Sequence, residues 1–270
     1  MIQIFLGPPG TGKTETSIRI VEKYLEKGVP PDRIAYLAFT RRASLEAKHR
    51  AMERFDLTAS ELPYFRTLHS FAYLQLGILR NQIMSRKHFE EVSHWLKIGT
   101  FFGKEQEAGP FRDFGYGDKY LELINIARIT QTSLKNVYET SPSRHLVTWN
   151  NLEYVARGLS HYKKVHSLLD YTDMLERFIC GGFCPKLEVV IIDEAQDLSA
   201  LQWKMVHQIA QKAEHVYVAG DDDQAIYRWA GADIDHFINL AGAVHTLSQS
   251  FRIPKSHHEI SQRLIKSVFN

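Results

Sequence analysis

The chain has 270 residues, with 33 Lys and Arg against 31 Asp and Glu and a net charge of only +2. Its composition, 44% hydrophobic and 24% charged residues, is that of a globular protein and excludes a disordered tail, a collagen-like fibre and a coiled coil. At about 150 residues per domain, this length corresponds to one or two domains. Because the net charge is so small, binding of nucleic acid would have to depend on local clusters of basic residues.

The sequence shows no sign of membrane insertion or secretion. No apolar run approaches the roughly 18 residues needed to span a bilayer, and the first residues lack the features of a signal peptide. Cys180 and Cys184 are too few for a disulfide framework, and a single C-x3-C pair is a weak zinc motif. We therefore expect a cytoplasmic protein with reduced thiols and no membrane partner.

Short apolar, β-branched runs alternate with helical patterns at both ends of the chain. Five runs are predicted to be buried strands: Ile2–Leu6, 34–39, 189–192, 216–219 and 244–247. Their nearly continuous apolarity favours a parallel sheet that helices cover on both faces. Ser199 and Gln202 form a capping-box pattern that predicts the start of one of these helices. The alternation predicts a doubly wound α/β domain.

The middle of the chain has a different pattern. From about residue 77 to residue 164 the sequence is helical in character, with a looser glycine- and phenylalanine-rich stretch at 99–117. The economical interpretation is a mostly helical subdomain inserted into one α/β domain. We therefore predict a first α/β part at 1–78, the insertion at 79–164 and a second α/β part at 165–270.

Residues 7–14 read GPPGTGKT, which matches the pattern G-x-x-x-x-G-K-[ST] directly between a predicted strand and a predicted helix. Glycines let backbone N–H groups turn toward phosphate oxygens, and the helix N-terminus adds its positive dipole end. We expect Lys13 to reach the β- and γ-phosphates of a nucleotide and the Thr14 hydroxyl to bind Mg²⁺. The other predicted phosphate-binding positions are Gly7, Gly10, Thr11 and Gly12. The alternative is a Gly/Pro loop that only caps a helix.

Two acids follow the apolar run 189–192 at the carboxyl end of its predicted strand, where α/β sheets bind their ligands. We expect Asp193 to hold Mg²⁺, usually through water. Glu194 would orient and deprotonate the attacking water. The alternative is a pair of solvated acids at the start of a helix.

A third polar segment, GDDDQAIYRW, follows the run 216–219. Gln224 is the candidate for contact with the γ-phosphate or the attacking water, because a neutral amide is not repelled by a triphosphate. Tyr227 and Trp229 flank an arginine in this segment and are candidates for base stacking, as in proteins that bind single strands. The alternative is that both aromatic side chains belong to the core.

Six motifs, in this order, resemble those of the UvrD/Rep/PcrA group of superfamily 1 DNA helicases. They are GPPGTGKT (7–14), LAFTRRA (37–43), RTLHSF (66–71), IIDEAQD (191–197), GDDDQAIYRWAGA (220–232) and LSQSFRIP (247–254). The resemblance implies a P-loop NTPase fold, in which helices sandwich the parallel sheet of a RecA-like domain, with a mostly helical inserted subdomain. It also implies ATP and Mg²⁺ as cofactors, single-stranded DNA as partner, and 3′–5′ helicase or translocase activity.

The resemblance adds functional roles for five more residues. Phe39, Thr40 and His69 match positions that line the single-strand path, although Phe39 could be the last core residue of its strand and His69 a helix-start residue. Arg252 matches the arginine that contacts the γ-phosphate. Phe251 occupies the aromatic position that stacks on adenine.

Two departures from the family pattern affect what can be expected. The glutamine-bearing segment that precedes the first strand in the family has no counterpart before Ile2, which leaves the base specificity open. The family also carries a second RecA-like domain after LSQSFRIP, so we expect this chain to be the N-terminal part of a helicase. Its short start resembles that of some phage-encoded relatives, which favours a phage-type source. By itself it should show little ATPase activity and no unwinding.

Two other classes of function also use a P-loop. One is a P-loop module that binds nucleotide and DNA without productive turnover. The other is a small-molecule kinase, in which GDDDQAIYRW and LSQSFRIP would have no role. Two basic clusters could contact nucleic acid or could be ordinary solvated helix faces: Arg41, Arg42, Lys48, His49, Arg50 and Arg54, and then Arg157, Lys163, Lys164 and His166.

Overall fold

The computed structural model describes residues 2–98, 119–181, 184–224 and 226–251. The chain forms two compact units, Met1–Phe71 with Gly182–Asn270, and Ala72–Gly181. The first unit is α/β and the second is helical. The helical unit begins earlier and ends later than the predicted insertion at 79–164.

The α/β unit is built on a six-stranded sheet. Its strands are β1 (Ile2–Leu6), β2 (Ile34–Ala38), β3 (Phe65–Thr67), β4 (Val189–Asp193), β5 (His215–Gly220) and β6 (Ala243–Thr246). They lie in the order β3-β2-β4-β5-β1-β6, and every neighbouring pair is parallel. The predicted parallel α/β fold is therefore confirmed, with the five predicted strands within one residue of their expected bounds. β3 was not predicted, because three residues are too few to show a periodic pattern.

The described residues contain ten α-helices. They are α1 (Lys13–Glu26), α2 (Arg41–Phe55), α3 (Leu68–Gln75), α4 (Arg86–Trp95), α5 (Lys119–Ile129), α6 (Leu134–Thr140), α7 (Trp149–Val165), α8 (Tyr171–Gly181), α9 (Ala200–Ala210) and α10 (Ile234–Ile238). The predicted capping box opens α9, where the Ser199 N–H donates to Gln202 Oε1 at 2.9 Å. In the described residues no helix is long and apolar enough to cross a membrane.

Alternate residues of the central strands face opposite layers of helices. Every residue of β2 and β4 is buried, as expected for strands covered on both faces. On one face, Tyr36 and Ile191 pack in a single cluster with Ile18 and Val21 of α1. Elsewhere in the unit, Trp203 of α9 is buried. The central strands are thereby held rigidly, so the positions of their carboxyl ends are well defined.

A network of buried ion pairs holds α8 in the helical unit. Arg128 of α5 donates to Asp170 at 2.8 Å and to Asp173 at 2.6 Å, and Lys163 of α7 donates to both acids. Burial opposes ionisation of Asp170, but the charges of Arg128 and Lys163 outweigh it and lower its pKa to about 2. The second α/β part was predicted to begin at residue 165, but α8 lies within the helical unit. There, Asp173 of α8 and the preceding Asp170 pair with cations on α5 and α7.

The ion pairs also change the interpretation of the basic clusters. The Lys163 side chain is only 11% exposed and is bound to two carboxylates, so it does not belong to a solvated basic face. Arg54 pairs with Glu15 and Glu22. Neither cation is available as a simple surface contact for phosphates.

Replacing Lys163 by Met should lower the free energy of unfolding at pH 7 by about 3 kcal/mol or more, because it leaves buried carboxylates without a partner. The neighbouring Lys164 is exposed, so Lys164→Met serves as the control and should change stability by about 0.5 kcal/mol at most. Urea titration followed by tryptophan fluorescence measures both. Equal effects of the two substitutions would contradict this account of the network.

Candidate functional site

The predicted site residues follow strands that all end at one edge of the sheet. In the register of the sheet, Leu6 of β1 lies beside Gly220 of β5, and Ala38 of β2 lies beside Asp193 of β4. Because all strands are parallel, the segments after their carboxyl ends lie along the same edge. These segments carry the P-loop (residues 7–14), Phe39 and Thr40, His69, Glu194, the β5 loop (residues 221–224 and 226–229) and the β6 loop (residues 247–251).

Glycine is required at several points of the P-loop. Gly10 and Gly12 have φ of 77° and 85°, in the left-handed region that favours glycine. A Cβ at Gly7 would lie 2.6 Å from Thr11 Oγ1 and 2.8 Å from the carbonyl oxygen of Leu247. Lys13 folds back over the loop and donates from Nζ to the carbonyl oxygens of Gly7 and Pro8. The lysine ammonium is therefore held inside the loop.

Tyr36 lies between the two predicted magnesium ligands. Its hydroxyl, at the centre of β2, donates to Asp193 Oδ2, and the Thr14 side chain lies near enough to the same phenol to lower its pKa slightly against the larger effect of burial. Asp193 Oδ1 accepts from the Glu194 N–H at 3.0 Å. Burial raises the pKa of Asp193 to about 6, although the Tyr36 hydrogen bond opposes the shift. Burial and the nearby Asp193 charge raise the pKa of Tyr36 well above its usual value, which keeps the phenol protonated as a donor.

The Glu194 carboxylate is oriented by the side chain of Gln196. Glu194 has φ 56° and ψ 42°, a left-handed conformation that turns the chain sharply at the end of β4. Gln196 Nε2 donates to Glu194 Oε2 at 2.8 Å, and Gln196 Oε1 accepts from the Asp221 N–H at 3.1 Å. The ends of β4 and β5 are thus connected through one amide.

Two further carboxylates at this edge of the sheet are incompletely hydrogen-bonded. Asp197 Oδ1 and Asp221 Oδ2 are buried and have no hydrogen-bond partner among the described residues. Burial and the charges of Glu194 and Asp221 raise the pKa of Asp197 to about 7. Burial raises the pKa of Asp221 to about 6, against the opposing charge of Lys13. This concentration of acids near a lysine is suited to a cation and a phosphate chain.

Aromatic side chains from two loops meet beside these acids. The rings of Phe39 and Tyr227 are 6.0 Å apart with their planes at 36°. Trp229 is 72% exposed, so it does not belong to the core. Thr40 caps α2 by accepting from the Ala43 N–H at 3.1 Å, which occupies its side-chain oxygen as an acceptor.

The remaining predicted residues are partly engaged by local structure. His69 lies in the first turn of α3 and is half-buried. Gln224 is exposed, and its N–H donates to the Asp221 carbonyl at 3.3 Å.

The β6 loop is attached to the P-loop. Ser250 Oγ donates to the Pro9 carbonyl at 2.9 Å, and the Phe251 N–H donates to the Gly10 carbonyl at 2.8 Å. The Phe251 ring is 77% exposed next to the loop. Arg252 lies outside the described residues.

Comparison with known proteins shows the family of this chain. A family model described as UvrD/REP helicase N-terminal domain matches residues 3–245. The chain belongs to this family. It is 23% identical to a probable DNA helicase II homolog of Mycoplasma genitalium over 95% of this chain and 37% of that protein. It is 24% identical to the ATP-dependent DNA helicase PcrA of Bacillus subtilis, over 99% of this chain and 38% of that protein.

A third relative is the ATP-dependent DNA helicase Rep of Buchnera aphidicola, 23% identical over 88% of this chain and 36% of the relative. The chain of this UvrD/REP family member thus spans little more than a third of the length of these relatives.

Four residues near the candidate site were not selected from the sequence: Tyr36, Gln196, Asp197 and Asp221. The available signal was weak: a hydroxyl within the apolar run IAYLA, and polar residues beside residues already selected.

In this UvrD/REP-type domain, the raised pKa of Asp197 makes stability depend on pH. Its carboxyl ionises near pH 4 when unfolded and near pH 7 when folded. The folded state therefore holds the proton more tightly, and stability falls as the pH rises through this window. Asp197→Asn keeps the neutral form. The free energy of unfolding of Asp197→Asn, relative to the wild type, should therefore increase by about 2 kcal/mol between pH 5 and pH 8. This value is reduced from the full pKa shift because Asp197 is partly solvated.

Chemical denaturation at several pH values measures this difference. Since the Glu194 charge contributes to the pKa of Asp197, the gain should be smaller when the substitution is made in a Glu194→Gln background. A gain independent of pH would contradict the assignment.

Proposed function

We propose that this chain binds Mg²⁺–ATP at the carboxyl edge of its sheet and single-stranded DNA on the adjoining loops. It would act as the ATP-binding part of a 3′–5′ DNA helicase or translocase. One observation carries the proposal: the P-loop, Asp193 and Glu194 lie together at one sheet edge, where the Tyr36 hydroxyl donates to Asp193 and Lys13 is close enough for its charge to lower the pKa of the same carboxyl. The 3′–5′ direction is proposed from the resemblance to the UvrD/Rep/PcrA group.

The residues at this edge fit a magnesium ion. Thr14 and Asp193 offer a hydroxyl and a carboxylate, which are oxygen ligands that Mg²⁺ favours. Asp193 accepts from the Tyr36 hydroxyl, and the Thr14 side chain lies near that same phenol, so both predicted ligands are close to one tyrosine. When bound with ATP, Mg²⁺ would neutralise charge on the phosphate oxygens. A cation there would also favour the ionised form of Asp193, offsetting the effect of burial on its pKa.

The chain's own groups have defined roles in this proposal. Lys13 would exchange its two carbonyl acceptors for β- and γ-phosphate oxygens, which are stronger acceptors because they are charged. Glu194 has one carboxylate oxygen held by Gln196, and the other is available to accept a proton from the attacking water. Gln224 would contact the γ-phosphate or that water, and Phe251 would stack on the nucleotide base. Arg252 would contact the γ-phosphate.

The aromatic side chains beside the nucleotide site support single-stranded DNA as the partner. Bases stack on exposed aromatic rings without regard to sequence, which suits a protein that moves along a strand. The Phe39–Tyr227 pair and the exposed Trp229 offer such rings within one stretch of the sheet edge. Thr40 and His69 would contact the same strand. A module that binds nucleotide and DNA without turnover is the second candidate.

Helicase stepping requires two lobes that close on ATP and reopen after hydrolysis. The chain spans little more than a third of the length of its relatives. We therefore propose that these 270 residues by themselves bind nucleotide, hydrolyse it slowly and do not unwind duplex DNA.

Lys13→Ala should weaken Mg²⁺–ATP binding about 10-fold or more, because hydrogen bonds to charged groups contribute about 1.5–3 kcal/mol. Glu194→Gln should retain binding and lose the residual hydrolysis. Titration calorimetry and phosphate release measure the two effects. Lys27→Ala, at the other end of α1, is the matched control and should behave like the wild type. Absence of any magnesium-dependent heat with ATP or GTP on folded wild-type protein would refute the proposal.

Tyr227→Ala and Trp229→Ala should each weaken binding of a fluorescent oligo(dT) by about 5- to 150-fold, as expected for the loss of one stacked base. Ile226→Ala removes an exposed side chain from the same loop without removing a ring, and should leave affinity nearly unchanged. Anisotropy measures the affinities, which should fall steeply with rising salt if phosphates are contacted. Equal losses in all three variants would argue against stacking.

A further inference from the structure

The side chain of Gln196 lies buried between two parts of the proposed site. It is only 3% exposed. Its Nε2 group donates to Glu194 Oε2 at 2.8 Å and, at 3.4 Å, to Asp197 Oδ2, while its Oε1 atom accepts from the Asp221 N–H at 3.1 Å. One amide therefore contacts the proposed general base on one side and the first residue of the β5 loop on the other.

The chemistry of this position requires an amide. A carboxylate accepts hydrogen bonds and a backbone N–H donates them, so a group between Glu194 and Asp221 must donate to one and accept from the other. Glutamine does both through one planar group. Glutamate could accept from Asp221 but would face the Glu194 carboxylate without a proton to donate. Because the site is buried, water cannot easily replace a lost partner.

The backbone is shaped to admit this side chain. At Gly220, the last residue of β5, an added Cβ would lie 2.9 Å from Gln196 Oε1 and 2.5 Å from Phe237 Cζ. The missing side chain therefore lets the amide oxygen approach the Asp221 N–H. The contact between the ends of β4 and β5 therefore depends on glycine at position 220, since any larger residue would collide with the Gln196 amide or the Phe237 ring.

The hydrogen bonds continue from Asp221 into the β5 loop. Its carbonyl accepts from the Gln224 N–H at 3.3 Å, and the Gln224 carbonyl accepts from the Ile226 N–H at 2.7 Å. The next residue is Tyr227, whose ring contacts Phe39. A change in the position of Glu194 would thus act, through Gln196 and Asp221, on the loop that carries the proposed base-stacking residues.

We propose that Gln196 is a positioning residue that couples the nucleotide at Glu194 to the strand-binding β5 loop. The inference rests on the proposed function, since it takes ATP and single-stranded DNA as the two ligands. When the triphosphate is bound and Glu194 faces the attacking water, the Gln196 amide follows the carboxylate and shifts Asp221. Binding of DNA on the β5 loop acts on Glu194 by the same route, because coupling between two binding sites is reciprocal.

The test measures this coupling without relying on turnover. The affinity of the 270-residue chain for fluorescent oligo(dT) is determined with and without Mg²⁺–ATPγS. The wild-type ratio of the two dissociation constants should be about 5-fold or more, the lower range of allosteric coupling. Gln196→Glu keeps the shape and the acceptor and, at a pH where its carboxyl is ionised, loses the donor, whereas Gln196→Met loses both. Each should remove most of the ratio while ATPγS still binds.

Gln202→Met is the matched control. Gln202 is also a buried glutamine, but its amide closes the capping box with Ser199 at the start of α9. The substitution should lower the melting temperature and leave the coupling ratio at its wild-type value. A merely structural role for Gln196 would give the same result as this control.

The outcomes separate the two proposals. If the wild type binds both ligands without coupling, or if folded Gln196 variants keep the wild-type ratio, the role of Gln196 is overturned and the proposed function stands. If the folded wild type binds neither ATPγS nor oligo(dT), the proposed function fails and this inference fails with it. Should Gln196→Met not fold, the isosteric Gln196→Glu decides alone.

Discussion

Burial of carboxylates at the ends of parallel strands is the constraint on which the rest of this site depends. Asp193 and Asp221 are almost fully buried at the carboxyl edge of the sheet, and a buried charge is costly unless other groups hydrogen-bond to it. Tyr36 and backbone N–H groups supply part of this compensation, and the raised pKa values show that it is incomplete. A bound cation would supply the remainder.

Hydrogen bonds between the loops make the edge of the sheet one connected structure. The P-loop is attached to β5 by the Gly7 N–H, which donates to the Gly220 carbonyl at 3.2 Å, and to the β6 loop through Ser250 and Phe251. The Gln196 amide connects β4 to β5 in the same way. Because these loops are hydrogen-bonded to one another, a ligand that moves one loop would also move the loops bonded to it.

The helical unit also contains buried carboxylates, but there they are paired with cations. Arg128 and Lys163 form direct ion pairs with Asp170 and Asp173, and these charges lower the pKa of Asp170. The pKa of Asp173 is raised, because burial and the neighbouring Asp170 charge oppose its ionisation. At the sheet edge, by contrast, Asp197 and Asp221 each keep one buried carboxylate oxygen without a hydrogen-bond partner among the described residues, which suits them to binding a ligand.

The parallel α/β fold, the P-loop and the first acid pair can be predicted from the sequence, because each signal lies within a short contiguous segment. GPPGTGKT and the strand that leads into Asp193 and Glu194 need no distant partner to be recognised. The hydrogen bonds of Tyr36, Gln196 and Lys163 become visible only in the folded chain, since their partners come from other strands or helices. Local periodicity cannot report such contacts, since packing and the register of the strands determine which polar side chains meet.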